Sequence, residues 1–576
     1  MSRQPASLRT LAVARGDEPA DLLITGGRVF SPFTREWIDT ELAVADGFVA
    51  GWGPRDSHET LDVDGAALTP GLIDAHMHLE STKLWVDEFV RAVLPRGTTA
   101  VAADPHEIAN VFGVDGVAAL ADAARDLPFT FGICASSCVP ASPFESPGAE
   151  VGVPELRRLL DDVGAMAVAE VMNYPAVIAG DPEFRQKIQA ARGRRVDGHA
   201  PGLRGHDLDA YLAAGVESDH ECFALDEIEE KRRKGMWVFI RQGSASRNLV
   251  DLLPTVLRHG IDRVALCSDD REPDMIRDLG HMNDCVRLAV ENGASLEDAL
   301  TMATANAAEY HGLHHLGSLG PGHQADILAF DDLASVEPAT VWHAGLRVAE
   351  DGHVLPEAIP SHPAPDWMRH SVHLPHIPSA ADLTLTPPAS GRAKVIGVIP
   401  GSISTDALEM DITRPSSDLA RIAVIERHRE TGRVGLGYVS GFGLERGAIA
   451  STVAHDAHNC MVVGSADDAG PSDMAAAVAR VAEIGGGQVA VLGGEVLGEV
   501  RLDVGGLMST RPHLEVAADL DSLVATAAEH LGVTLTAPFM QLSFLGLSVI
   551  PELRITDRGL VDVTRFELTS LDAAAP

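Results

Sequence analysis

The chain has 576 residues, of which 45% are hydrophobic and only 5% aromatic, and it carries a formal net charge of −38. This length indicates two or three domains with largely aliphatic cores, and the composition excludes a low-complexity protein. Because so acidic a surface repels phosphate backbones and anionic lipids, we expect neither a nucleic acid polymer nor a membrane as a partner. A small neutral molecule in a buried pocket is compatible with this charge.

The cysteines and the amino terminus indicate the compartment. The six cysteines form no C-x-x-C pair and are too few for a disulfide framework in so long a chain. Residues 1–20 lack the apolar segment of a signal peptide, and no apolar run of about 18 residues occurs. We therefore expect a soluble cytoplasmic protein in which residues 1–20 are a loose leader.

Two strand-rich stretches flank a long central region. Residues 21–68 contain DLLITGGRVF and ELAVADGFVAGWG, and residues 313–354 contain ADILAFDDL and VWHAGLRVAEDGHVL. Both stretches are typical of short strands broken by glycine and aspartate. We predict that they form one small β-subdomain composed of both pieces.

The central region, residues 69–312, alternates between short apolar segments and helical patterns. The predicted strands lie in GLIDAHMH, TTAVAADP, FTFGICAS, AMAVAEVM, RRVDGH, GVESDH, MWVFIRQG and RVALCSDD. Helical patterns between them include KLWVDEFVRAVLP, EIANVFGVDGVAALADAAR and NLVDLLPTVLRHG. Eight strands with intervening helices favour an α/β fold of the (β/α)8 TIM-barrel type, and a doubly wound open sheet is the alternative.

The remaining third of the chain has a different character. Residues 355–392 are rich in proline, histidine and serine and are predicted to be a linker or an extended wrap. Residues 393–576 are predicted to form a C-terminal α/β domain, with a strand in AKVIGVIPG and a helix in SDMAAAVARVAEIG. Its glycine-rich pieces, GLGYVSGFG and IGGGQVAVLGGEVLG, match no phosphate-binding motif, and we interpret them as turns.

Metal-binding residue types stand at the carboxyl ends of the predicted barrel strands. His76 and His78 end the first strand, and because they are two apart their side chains point to the same side. The later strand ends add Asp104, His106, Glu107, Glu170, His199, His220 and Asp269. TIM-barrel active sites lie at this face, and imidazole and carboxylate groups suit Zn, Fe or Mn. One histidine alone is more often structural, but this set predicts a metal site.

Several motifs carry a family resemblance. PGLIDAHMHLES resembles the opening of amidohydrolase superfamily members. AVLPRGTTAVAADPHEIANVFG, DGHAPG, SDHE, CSDD and VAHDAHNCMVVG resemble the bacterial adenine deaminases, and the resemblance runs from about residue 21 to 570. It implies a (β/α)8 barrel with two divalent metal ions that hydrolyses adenine to hypoxanthine and ammonia in purine salvage.

The resemblance also implies a ligand set. The ligands are His76, His78 and Asp269 for the more buried ion, His199 and His220 for the second, and Glu170 as the bridge. The fourth strand has no lysine for the carboxylated-lysine bridge of hydantoinase-like members. Gly202 stands where adenosine-deaminase-like members carry a glutamate. Both departures favour two ions bridged by a glutamate; Mn and Fe are preferred, with Zn as an alternative.

Asp269 is expected to accept the proton of the attacking water and to deliver it to the leaving ammonia, with His220 assisting. Ring N1 also needs a proton donor. The candidates are Glu80, His106 and Glu107, whose alternative role is to orient metal ligands. Asp270 is either a spare carboxylate of the site or a helix cap.

The block HDAHN in the last domain contains His455 and His458, which are three residues apart and would meet on a helix. It is either a polar turn or a contribution to the mouth of the active site, including an accessory metal. The expected partner is a small purine, and the resemblance implies a homo-oligomer, a dimer or higher. The alternatives are a related two-metal amidohydrolase acting on another amino-purine or a cyclic amide, and a non-catalytic scaffold, which should have lost ligands.

Overall fold

The computed structural model describes residues 6–374, 376–413 and 418–574. The described chain begins with helix α1 (Leu8–Arg15), which the side chain of Ser7 caps. Val13 of this helix is fully buried in a small cluster with the first sheet. The predicted loose leader is therefore wrong for residues 8–15, because so short a helix gives little periodicity in the sequence. Residues 1–5 of that leader lie outside the described residues.

Seven short strands follow this helix. They are β1 (Ala20–Thr25), β2 (Arg28–Ser31), β3 (Glu36–Asp39), β4 (Leu42–Ala45), β5 (Phe48–Trp52), β6 (Ser57–Asp62) and β7 (Ala67–Pro70). Four of them form a sheet in the order β5-β4-β1-β6, and the other three join a second sheet.

Eight parallel strands then form a closed barrel. They are β8 (Leu72–Met77), β9 (Thr98–Ala103), β10 (Thr130–Ala135), β11 (Ala167–Val171), β12 (Arg195–Gly198), β13 (Ser218–Asp219), β14 (Trp237–Arg241) and β15 (Val264–Cys267). Hydrogen bonds join β12-β11-β10-β9-β8 in one run and β13-β14-β15 in another. A bridge between Met77 and Asp269, and a bond from Glu217 N to Val196 O (3.0 Å), close the two gaps. The predicted TIM barrel is confirmed, and the doubly wound alternative is wrong.

Twelve helices lie among and after the barrel strands. They are α2 (Val86–Val93), α3 (His106–Ala124), α4 (Val153–Arg158), α5 (Tyr174–Ile178), α6 (Pro182–Ala190), α7 (Gly205–Ala214), α8 (Leu225–Arg233), α9 (Leu249–His259), α10 (Pro273–Leu279), α11 (Met282–Glu291), α12 (Leu296–Met302) and α13 (Ala305–His311). Helix α3 begins directly after β9, so its first two residues, His106 and Glu107, stand at the carboxyl face of the barrel.

The chain then returns to the second small sheet. Strands β16 (Ile327–Phe330), β17 (Thr340–His343), β18 (Leu346–Glu350) and β19 (His353–Val354) give it the order β19-β18-β17-β16-β7-β2-β3. Strand β16 pairs antiparallel with β7, so the stretches before and after the barrel share one sheet. The described part of residues 355–391 contains no helix or strand. Its first part lies along α2, where Trp85 Nε1 donates to His362 O (2.7 Å), and its later part packs on the C-terminal region, where Arg369 pairs with Asp503 (2.8 Å).

The C-terminal region is a sheet domain with helices. Its elements are β20 (Arg392–Val398), β21 (Thr405–Asp411), β22 (Leu419–Ile425), β23 (Val434–Ser440), β24 (Ala448–Ser451), β25 (Cys460–Ser465), α14 (Gly470–Glu483), β26 (Gly487–Leu492), β27 (Glu495–Arg501), α15 (His513–Thr526), α16 (Pro538–Phe544), β28 (Leu553–Thr556), β29 (Gly559–Asp562) and β30 (Glu567–Leu568). The main sheet has the order β21-β20-β23-β22-β25-β24-β26-β27, and β28 to β30 form a small second sheet.

The glycine-rich pieces of this domain are largely strands, so their interpretation as turns is wrong for most of their length. They form β23 and the hairpin of β26 and β27, while turns or bends occupy residues 441–442 and 484–486 and the pair Gly493 and Gly494. Close packing explains the glycine in β23, because a Cβ atom on Gly435 would lie 1.9 Å from the carbonyl oxygen of Thr556. None of the helices in the described residues has the length and apolar character needed to cross a bilayer.

Candidate active site

His76 and His78 end β8 with both imidazoles directed at one point. Their Nε2 atoms are 3.2 Å apart. Two nitrogens that bind one tetrahedral zinc ion at about 2.0–2.1 Å are about 3.3 Å apart, so this pair fits a shared ion. Nδ1 of His78 donates to the carbonyl oxygen of Asp104 (3.0 Å), which fixes the ring and leaves Nε2 as the ligand atom.

Asp269 follows β15 and faces the same point. Its Oδ1 lies 3.3 Å from Nε2 of His78 and 3.8 Å from Nε2 of His76. The residue has a φ of 57°, in the left-handed region that non-glycine residues rarely occupy. Two backbone hydrogen bonds to β8 hold it there, from Asp269 N to His76 O (3.0 Å) and from His78 N to Asp269 O (3.3 Å). Closure of the barrel therefore places this carboxylate beside the two histidines.

Glu170 on β11 lies between two pairs of histidines. Its Oε1 is 3.5 Å from Nε2 of His78. Its Oε2 is 2.7 Å from Nδ1 of His199 and 3.3 Å from Nε2 of His220. Each carboxylate oxygen thus faces a different donor set, which is the arrangement that a bridging carboxylate requires. The structure brings together all six residues of the predicted ligand set.

The charges of these buried groups favour a cation. Burial raises the pKa of Glu170, but His199 and the neighbouring hydrogen bonds outweigh it and hold that pKa well below its usual range. Burial lowers the pKa of His220, yet the hydrogen bond to Glu170 outweighs it and raises the pKa to about 9. The buried carboxylates therefore favour a positive charge at this centre. A nitrogen and oxygen donor set of this kind suits a divalent metal ion.

Two residues of the site were missed by sequence reasoning. Arg241, at the end of β14, donates to Glu221 (Nη2 to Oε2, 2.6 Å) and also to Oδ2 of Asp269. Oε1 of Glu221 lies 3.5 Å from Nδ1 of His199 and 3.6 Å from Nε2 of His220. Both stand at strand ends, which is the signal that the sequence offers, but neither residue belongs to the predicted ligand set.

The first turn of α3 meets the C-terminal domain beside this centre. Nδ1 of His106 lies 3.3 Å from Oε1 of Glu170, and its Nε2 lies 3.5 Å from Oδ1 of Asp456. Nδ1 of His455 lies 3.2 Å from Oε1 of Glu107. His455 is therefore part of the wall of the site, in a turn and not on a helix.

The other accessory candidates differ in their distance from the pocket. Glu80 accepts a hydrogen bond from the backbone N–H of Ile108 (2.8 Å) and so anchors the start of α3. Asp270 lines the pocket, accepts a hydrogen bond from Ser81 and does not cap α10, whose N-cap is Glu272. His458 accepts from the backbone N–H of Ala454 (3.0 Å) and does not line the pocket.

The pocket over the six residues has a polar floor and an apolar roof. Its floor and walls include His78, Glu170, His199, His220, Asp269, His106, Glu221 and Arg241. The roof comes from the C-terminal domain and consists of Ile403, Phe544, Leu547 and Ile550. Among the three candidates for the N1 proton donor, His106 lines this pocket, whereas Glu80 and Glu107 lie behind its wall. The polar floor can hydrogen-bond the edge of a ligand, and the apolar roof can pack on its face.

Two known protein families match two different regions of the chain. Residues 67–348 match the amidohydrolase family, and residues 402–567 match the adenine deaminase C-terminal domain. A structure of N-acetyl-D-glucosamine-6-phosphate deacetylase from Mycobacterium smegmatis is 20% identical with a TM-score of 0.44, over 57% of this chain and 100% of that one.

Curated relatives match almost the whole chain. An adenine deaminase of Desulfatibacillum aliphaticivorans is 44% identical over 573 residues, which cover 98% of this chain and 99% of that protein. Adenine deaminase 2 of Carboxydothermus hydrogenoformans is 43% identical over 566 residues, covering 96% of this chain and 98% of that protein. The chain therefore belongs to the adenine deaminase family of the amidohydrolases.

Proposed function

We propose that this protein hydrolyses adenine to hypoxanthine and ammonia with two divalent metal ions in the barrel. The observation that carries the proposal is the position of Glu170, with one oxygen toward His78 and the other toward His199 and His220. This donor set lies under a roof supplied by the domain that matches the adenine deaminase C-terminal family.

The proposed ligands follow from the donor distances. One ion would be held by His76, His78 and Asp269, and the other by His199 and His220, with Glu170 between them. When bound, the ions lower the pKa of a water molecule toward about 7 and so supply a nucleophile at neutral pH. Mn and Fe are the preferred ions and Zn is the alternative, because imidazole and carboxylate ligands accept all three.

Asp269 is the residue that moves the proton. Its Oδ1 faces His76 and His78, which would hold the metal ion that supplies the nucleophile, and its Oδ2 is held by Arg241. The carboxylate accepts the proton of the water and returns it to the exocyclic nitrogen, so that ammonia leaves. His220 lies close enough to assist, since its Nε2 contacts Glu170 at 3.3 Å. For ring N1, the pocket wall favours His106 over Glu80 and Glu107 as the donor.

The test is ammonia release from a panel of purines by metal-replete protein. We expect adenine to be converted to hypoxanthine, identified by chromatography, while guanine and cyclic amides are left unchanged. An inactive metal-replete protein would favour the scaffold alternative, and turnover of another amino-purine would favour a related amidohydrolase. The homo-oligomeric state and the cytoplasmic location stay predictions.

A further inference from the structure

Asp456 of the C-terminal domain presents an unpartnered carboxylate oxygen at the pocket. The residue is 1% exposed and lines the pocket beside His106 and His455. Its Oδ2 has no hydrogen-bond partner among the described residues. A buried carboxylate oxygen without a hydrogen-bond donor costs free energy. A ligand that donates a hydrogen bond to this atom would remove that cost.

His106 sets the distance between Asp456 and the ligand set. Its two ring nitrogens lie 3.3 Å from Oε1 of Glu170 and 3.5 Å from Oδ1 of Asp456. One five-membered ring with a polar contact at each end therefore separates the two carboxylates. A purine that lies along His106 with its amino-bearing carbon toward the ligand set extends its five-membered ring toward Asp456.

We propose that Asp456 accepts a hydrogen bond from this ring N–H and so selects free purine bases over N9-substituted purines. The inference rests on the proposed function and adds a specificity-determining residue to it. A purine substituted at N9 has no hydrogen on its five-membered-ring nitrogens, and it leaves the Asp456 carboxylate buried and unpaired. Sites built to bind a substrate N–H reject analogues that lack it by as much as about 10⁴–10⁵-fold.

A further metal ion, instead of a purine, could bind beside Asp456. Ligand atoms of His106, Glu107 and His455 lie within 4.8 Å of one another. Two observations favour a purine as the partner of Asp456. The carboxylate faces the pocket, and the roof next to it is apolar, with Phe544 stacked on His455 at 4.5 Å. An apolar roof suits a flat ring and contributes no metal ligand.

The experiment compares adenine with 9-methyladenine in wild type, Asp456→Ala and the isosteric Asp456→Asn. Because active protein would turn adenine over, binding is measured by calorimetry on metal-replete protein with the product hypoxanthine and with 9-methylhypoxanthine. In parallel, kcat/KM is measured for adenine and 9-methyladenine. We expect Asp456→Ala to weaken the free bases at least about tenfold and to leave the N9-methylated bases unchanged or improved. Asp456→Asn, which retains a weaker acceptor, should reduce the preference for adenine less. A purely structural role would weaken both ligands equally.

The matched control is Asp473→Asn, which changes another buried carboxylate of the same domain that bonds to Gly494 N and lies away from the pocket. It should leave the ratio of the two affinities unchanged. An unchanged ratio in both folded Asp456 variants would overturn the inference. So would loss of one metal ion per chain from either variant, because Asp456 would then be a metal ligand. Failure of wild type to deaminate adenine would instead refute the proposed function, since the binding ratio does not depend on turnover.

Discussion

Arg241 donates a hydrogen bond to Oδ2 of Asp269, whose other oxygen faces His76 and His78. Burial alone raises the pKa of Asp269, but the guanidinium group of Arg241 outweighs it and holds the pKa well below its usual range. Asp269 is thus kept ionised, as its proposed role as proton acceptor requires, and it is oriented by a residue outside the proposed ligand set.

This relationship predicts a shift in the pH–rate profile of Arg241→Gln. Without the guanidinium, the pKa of Asp269 rises, so the acid limb of kcat, where Asp269 must be ionised, moves to higher pH. The control Arg271→Gln removes another fully buried arginine, which pairs with Asp284 away from the pocket. Both variants should lose about 3–5 kcal/mol of unfolding free energy, but only Arg241→Gln should move the acid limb of the kcat profile to higher pH. Equal profiles in the two variants would contradict this role.

Glu170→Gln should remove metal as well as activity. An amide binds a metal ion less well than a carboxylate, and one residue here serves both donor sets. We expect metal content to fall below that of wild type and kcat/KM to fall by more than about 100-fold. Asp197→Asn is the control, since Asp197 is a buried carboxylate on the neighbouring strand that binds Tyr310 at 2.6 Å. The metal content per chain is measured by elemental analysis of folded protein. Full metal content in Glu170→Gln would refute the proposal that Glu170 bridges two metal ions.

The affinity for metal should rise with pH. In the ion-free protein the pKa of His220 is raised to about 9 by Glu170, which outweighs the effect of burial. Below that pH a metal ion must displace the proton, so the apparent affinity should fall about tenfold for each unit of decrease. Mn²⁺ titrations of metal-depleted protein across neutral pH measure this slope. The variant His458→Gln changes a buried histidine outside the site and should show the same dependence of metal affinity on pH. A wild-type affinity that does not change with pH would argue against His220 as a ligand.

The barrel and its six candidate ligands were predictable because each depends on local sequence. Apolar strand segments end in polar side chains, and parallel strands bring their carboxyl ends to one face. His76, His78, Glu170 and His199 therefore meet for reasons already visible in the spacing of strands.

The rest depends on contacts between distant parts of the chain. Arg241 and Glu221 form an ion pair across neighbouring strands, and an arginine does not signal a metal site. The approach of His455 to Glu107 depends on how the C-terminal domain sits on the barrel, which no periodicity encodes. The helix at residues 8–15 was not predicted because eight residues give little periodicity, although Ser7 caps it and Val13 is fully buried.

The apolar roof predicts how the protein treats adenosine. Leu547 and Phe544 close the pocket from the side of the C-terminal domain, and Phe544 also stacks on His455. A ribose at N9 needs room under this roof, so wild type should turn over adenosine at least about 10²-fold less efficiently than adenine. Leu547→Ala opens space there and removes one contact to the base. We expect it to weaken transition-state binding of adenine by about 1–3 kcal/mol, which lowers kcat/KM for adenine. The ratio of kcat/KM for adenosine to that for adenine should rise.

Leu545→Ala is the matched control, because Leu545 is 1% exposed and lies two residues away in the main core without lining the pocket. It should cost stability, about 2–5 kcal/mol for a buried leucine, while the adenosine-to-adenine ratio stays at the wild-type value. The ratio is measured from kcat/KM for both substrates at equal metal content, so that differences in loading cancel. If Leu547→Ala and Leu545→Ala give the same ratio, the roof does not select the substrate. If wild type hydrolyses adenosine as efficiently as adenine, the pocket is not closed around a free base.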